Sequence, residues 1–116
     1  MANLNAKAEL LDVININNLK IIAAELSFDA FDNSNGFVLY KHYNEKEYQE
    51  FLNFLDRDYN NGYGGQELFG TVWCDEGSWL ERGEYDGSEW WNIHKYPDNI
   101  PIDLIHTRRA KIKNLI

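Results

Sequence analysis

The chain has 116 residues, 44% of them hydrophobic and 15% aromatic, which is enough for one packed core, predicts a single domain over residues 1–116, and argues against a disordered tail. A formal net charge of −8 repels phosphate, so it disfavours direct nucleic-acid binding; the same field would attract a basic protein partner, and the alternative is that it serves only to keep the protein soluble. No apolar run approaches the roughly 20 residues that span a bilayer, and the amino-terminal stretch lacks an export pattern, which argues against a membrane or secreted role.

The single cysteine, Cys74, has no partner for an internal disulfide and fits a reducing cytoplasm. Along the chain, NLNAKAELLDVIN reads as a first helix with Leu4, Ala8, Leu11 and Ile14 near one face, although VININNL also fits a strand. KIIAAELSFDAF alternates as a half-buried strand does: Ile22, Ala24, Leu26, Phe28 and Ala30 on one side, Ala23, Glu25, Ser27 and Asp29 on the other. DNSNG supplies turn formers, and FVLYKHY returns as a second strand. Asn44 precedes EKEYQEFLNFLDRDY, with Glu47 three residues on, the pattern of a capped helix start. Tyr48, Phe51, Leu52, Leu55 and Tyr59 then recur at helical spacing, and NNGYGG is expected to end the helix.

From Glu67 the hydrophobic period becomes two. ELFGTVW, SWLERGEY and SEWWNIHK are separated by CDEG and DG, which predicts a three-stranded meander. Asp86–Gly87 suits a type I′ turn, and Asp75–Glu76–Gly77 suits a three-residue loop with Gly77 left-handed. Beyond Pro97 and Pro101, residues 104–116 hold Arg108, Arg109, Lys111 and Lys113 and no acid, a basic tail or short helix expected to dock on the acidic body or on a second copy. The expected fold is α+β: a twisted antiparallel sheet of about five strands (two-strand hairpin, helix, three-strand meander) with one main helix packed on one face.

The two turns fix a register, and the register sorts side chains. Val72, Leu80, Trp91 and Ile93 fall on one face, ready to receive the helix. Phe69, Trp73, Trp79, Tyr85 and Trp90 fall on the other, with Thr71, Glu81, Asn92 and His94 among them. An uncovered aromatic face of that size marks an interface; the alternative is that the first helix or the tail closes over it as a second core. The candidate partner-binding residues are Trp73, Trp79, Trp90 and Tyr85 as anchors and Glu76, Glu81, Glu84, Asp86 and Glu89 as charge partners.

Catalytic and metal chemistry find no pattern to carry them. His42, His94, His106 and Cys74 match no metal-ligand spacing. Glu84 and Glu89 oppose each other across the second hairpin as solvated carboxylates rather than an acid–base pair. NNGYGG lacks the G-K-[ST] of a phosphate loop, and Ser78 and Ser88 sit outside any nucleophile elbow. No cofactor, metal or enzymatic activity is expected.

Residues 69–101, FGTVWCDEGSWLERGEYDGSEWWNIHKYPDNIP, resemble a pattern in small proteins of tailed bacteriophages, in which GT-[IV]-W, DG-x-W, R-x-EYDG-S-EWW and a proline-bounded loop follow one another. The resemblance covers under a third of the chain and transfers no catalytic residue. It implies a phage protein in the host cytoplasm, where short acidic proteins of the anti-CRISPR and anti-restriction kind inhibit host defence, some by occupying the basic surface on which an effector holds nucleic acid. The cationic tail departs from full duplex mimicry. The expectation is therefore an inhibitor that binds a host defence protein; a homodimer formed through the aromatic face is the alternative.

Overall fold

Asn5 starts the first helix by accepting a hydrogen bond from the Ala8 amide at 3.0 Å, relieving one of the unpaired donors at a helix start. In the computed structural model, which describes residues 4–28, 35–60, 62 and 65–95, a short strand β1 (Leu4–Asn5) leads into helix α1 (Ala6–Ile16). Ala6, Leu10 and Ile14 form its buried stripe, one residue per turn. The expected stripe through Ala8 and Leu11 is corrected: Ala8 is exposed and Leu11 half-buried. The cause is the pairing of Leu4 and Asn5 with Tyr59 and Asp58, which fixes where the helix begins and hence which face turns inward.

Strand β2 (Ile21–Ser27) alternates as predicted from Ala24 onward, but a bulge between Ile21 and Ala23 shifts its first residues. Ile21, Ala24 and Leu26 enter the core, and Ile22 does not, because the extra residue reverses the side to which it points. Strand β3 (Gly36–Leu39) is shorter than FVLYKHY, with Tyr40 exposed and His42 at φ 69°.

Helix α2 (Glu45–Leu55) carries the capping box in full: Asn44 accepts from the Glu47 amide at 2.8 Å, and Glu47 accepts from the Asn44 amide at 2.9 Å. It buries Phe51 and Leu55 but stops before Tyr59 and well before NNGYGG. There the Asp56 amide reaches Asn53, the Arg57 amide reaches Leu55, and the Arg57 carbonyl accepts from Ala6 at 2.9 Å. Tertiary pairing therefore ends the helix ahead of the glycines, and Tyr59 sits on a short strand β4 (Asp58–Tyr59) against β1. Asp29, Ala30, most of DNSNG, half of NNGYGG, Pro97, Pro101, His106 and the basic tail lie outside the described residues.

Strands β5 (Phe69–Cys74), β6 (Ser78–Tyr85) and β7 (Ser88–Lys95) form the predicted meander. Trp73 lies opposite Trp79, Val72 opposite Leu80, Arg82 opposite Trp91 and Gly83 opposite Trp90. Asp86 and Gly87 have φ of 53° and 87°, the paired positive angles of a type I′ turn; Glu76 joins Gly77 in the left-handed region at 58° and 73°. The first turn is anchored to β2, since the Lys20 amide donates to the Asp75 carboxylate at 3.0 Å and the Asp75 amide to the Lys20 carbonyl at 3.0 Å.

The sheet order is β3-β2-β5-β6-β7, antiparallel throughout, so β2 joins the hairpin to the meander. Both helices contribute to one core with the same sheet face: Ala6, Leu10 and Ile14 from α1, Phe51 and Leu55 from α2, and Leu26, Leu39, Val72, Leu80 and Trp91 from the strands. The first helix is thus a full partner of the second. Ile93 points to the helix side but is 46% exposed, so its expected place in the core is corrected: β7 is the edge strand, beyond the helices' reach. No helix of the described residues is long and apolar enough to cross a membrane.

Candidate functional site

The side of β5–β7 away from the helices carries a layer of aromatic side chains tied to polar neighbours. Trp79 stacks on the His94 ring across the β6–β7 ladder, centroids 5.2 Å apart and planes 18° apart. Its indole N–H donates to Glu81 Oε1 at 3.1 Å, and the same oxygen lies 3.2 Å from His94 Nε2. Trp90 donates its indole N–H to Asn92 Oδ1 at 2.8 Å and lies across Gly83. A Cβ at Gly83 would fall 2.7 Å from Trp90 Nε1 and 2.5 Å from Asn92 Nδ2. Glycine at the centre of β6 is therefore what lets this indole lie flat on the sheet.

Trp73 and Trp79 are half-buried, Trp90 is 38% exposed and Tyr85 76% exposed. The layer is partly open, and its hydrogen-bonded members, Trp79 and Trp90, are positioned before a partner arrives. Glu81 lies within it, and Glu76 and Asp86 are exposed on the turns at the two ends of β6. At about 3.3 Å per residue, the three carboxylates are spread along about 30 Å of strand.

Two predicted charge partners are corrected. Alternation puts Glu84 and Glu89 on the helix side, opposite one another as expected but away from the aromatic layer. Glu84 remains exposed. Glu89 is buried, its side chain 1% exposed, and it accepts from Arg82 Nη2 at 2.7 Å and from the Leu68 and Glu67 amides at 3.1 and 2.8 Å. Arg82, its side chain 2% exposed, also donates to the Tyr59 hydroxyl at 2.8 Å, lies 3.6 Å from Glu9, and has its guanidinium 4.6 Å above the Trp91 ring. Tyr59 in turn donates to Glu9, and burial, ahead of that bond, pushes the phenol above its usual range. One arginine so joins α1, β4, β6, β7 and the segment entering β5. Its signal was present in the sequence: the only base between Gly70 and Trp91, at a position whose parity places it with Leu80 and opposite Trp91.

Burial, then the neighbouring Asp75, pushes the Cys74 thiol up to about 12, so it is not a thiolate nucleophile at neutral pH. Among the described residues no group of three His, Cys, Asp or Glu side chains could hold a metal ion. A cavity of about 250 Å³ is lined by Lys20, Ile21, Ile22, Lys41, His42 and Tyr43, on the sheet's other end from Trp90. No family model matches this chain, and neither a curated protein nor a solved structure matches it.

Proposed function

We propose that this protein acts by binding rather than catalysis, as a phage-type inhibitor in the host cytoplasm that covers a basic, nucleic-acid-handling surface of a host defence protein with the outer face of β5–β7. The observation that carries the reading is the aromatic layer of Trp73, Trp79, Trp90 and Tyr85, in which Glu81 holds Trp79 and Asn92 and Gly83 hold Trp90, flanked by the exposed carboxylates of Glu76 and Asp86. Aromatic anchors with an acidic rim suit a partner that otherwise holds polyanions: the rings supply desolvated contact and the carboxylates steer and orient.

Capture from a bacterial lysate, read by mass spectrometry, tests this when run side by side with a variant. The immobilised wild type should retain a protein that a DNA oligonucleotide or raised salt displaces. The Tyr85→Ala, Trp90→Ala double variant, with an unchanged circular dichroism spectrum, should retain it at least tenfold less well. Equal retention by the folded variant, or indifference to both DNA and salt, would overturn the assignment.

A further inference from the structure

We propose that the cavity at the start of β2 is a binding site for a small phosphate monoester, whose apolar body rests on isoleucine and whose phosphate meets two lysines. The cavity is lined by Lys20, Ile21, Ile22, Lys41, His42 and Tyr43. Ordinary alternation would send Ile21 and Ile22 to opposite sides of the sheet. The bulge between Ile21 and Ala23 instead brings both against the same hollow. Tyr43 is a fixed wall: its hydroxyl donates to the Ile21 carbonyl at 2.5 Å, and its ring stacks on Tyr48 with centroids 5.5 Å apart. At Lys20 the backbone is held by its two bonds with Asp75. His42 stands at φ 69°, a left-handed conformation that is costly for a residue with a side chain and that clusters where ligands are held.

Charge selects the ligand. The chain carries −8 overall, yet this hollow gathers two lysines and a histidine and no acid. Among the described residues neither lysine nor the histidine has an ion pair, whereas Lys7 and Arg82 are paired with carboxylates. Asp75 accepts from the Lys20 amide and Glu45 acts on Tyr43, but neither lines the cavity. Ammonium groups are compact point charges that suit phosphate, and the planar fork that matches a carboxylate is missing here. Two unpaired cations beside an imidazole balance a phosphate dianion, where a carboxylate would balance only one. Ile21, Ile22 and the Tyr43 ring give the ester's body an apolar bed. At about 250 Å³ the cavity falls just below the size that takes drug-sized ligands, which limits that body to about one ring. The acidic surface around it repels a polyanion, so the small ester is favoured over a nucleic-acid strand. The inference stands apart from the partner proposed above, because the cavity lies at the other end of the sheet from Trp90.

Phenyl phosphate, titrated into the full chain at about 50 mM salt and followed by two-dimensional amide NMR, tests this. The signals of Ile22, Lys41, His42 and Tyr43 should move along one saturable curve, with a dissociation constant below about 1 mM. Benzoate keeps the ring with a single charge, and inorganic phosphate keeps the charge without a ring; each should bind at least about fivefold more weakly. The Lys20→Gln, Lys41→Gln double variant changes two exposed positions, so its fold should persist while its affinity falls at least about tenfold. His42→Gly keeps the left-handed turn without the ring and should bind about threefold more weakly. Trp90→Ala should bind the probe as the wild type does. No saturable shift below about 10 mM, equal affinity for benzoate, or unchanged affinity in the double lysine variant would overturn the inference.

Discussion

Replacing Arg82 with methionine should cost about 3–5 kcal/mol, because the guanidinium is the one counter-charge among two carboxylates and a phenol that folding removes from water. Methionine fills much of the same space over Trp91, so the loss comes from Glu89, buried and left with only the Glu67 and Leu68 amides, rather than from a cavity. A chain of this size is stable by about 5–15 kcal/mol, so the variant should melt about 12–20 °C lower, at about 4 °C per kcal/mol. Glu89→Met should cost a similar amount, since it strands those two amides and the arginine together. The double variant should lose less than the sum by about 1.5–3 kcal/mol, the signature of a direct coupling. It should not return to wild type, because the two amides still lack an acceptor. Urea unfolding of the four proteins, followed by far-ultraviolet circular dichroism, measures the cycle. A loss under 1 kcal/mol for Arg82→Met, or additivity within about 0.5 kcal/mol, would show that the cluster does not hold the elements together.

Gly83→Ala should drive the Trp90 indole off the sheet, because the added methyl would sit within 3 Å of it; the stability loss should be about 1–3 kcal/mol, with a red-shifted tryptophan emission that is absent when Trp90→Phe is also present. An unchanged emission would contradict the stacked geometry. The Cys74 thiol, at about 12 against an unfolded value of 9.0, and the Tyr59 phenol, raised above 10.0 by burial, each favour the folded state in their neutral forms. Their contribution is complete below the unfolded values and is lost as pH rises through the folded ones. The urea midpoint should therefore fall from about pH 9 upward, and Cys74→Ala should flatten the part of that fall between 9 and 12; a midpoint constant to pH 11 would refute this.

The meander was legible because its information is local. Asp86–Gly87 admits few turns, and a turn dictates the pairing of everything beside it, so the opposition of Trp73 to Trp79 and of Gly83 to Trp90 followed from spacing alone. The Asn44 cap was legible for the same reason. What escaped the sequence was set by distant contacts. Tyr59 continues the helical spacing of Phe51 and Leu55 but is drawn onto a strand by Leu4. A bulge of one residue turns Ile22 out of the core. Glu89 reads as another surface acid until the register is followed through Arg82, whose parity demands a buried partner. The candidate site was therefore drawn one side too wide: the aromatic residues, Glu76, Glu81 and Asp86 stay with it, while Glu84 and Glu89 belong to the opposite side of the sheet.

Oxidative footprinting of the protein, alone and with the captured partner, tests the central claim most directly. In the proposal the aromatic layer is the surface that binds, and on it Trp90, Tyr85 and Trp73 should lose most of their reactivity in the complex while the exposed residues of α1 and α2 keep theirs. Protection concentrated on the helices, with Trp90 and Tyr85 oxidised as fast in the complex as in the free protein, would contradict it.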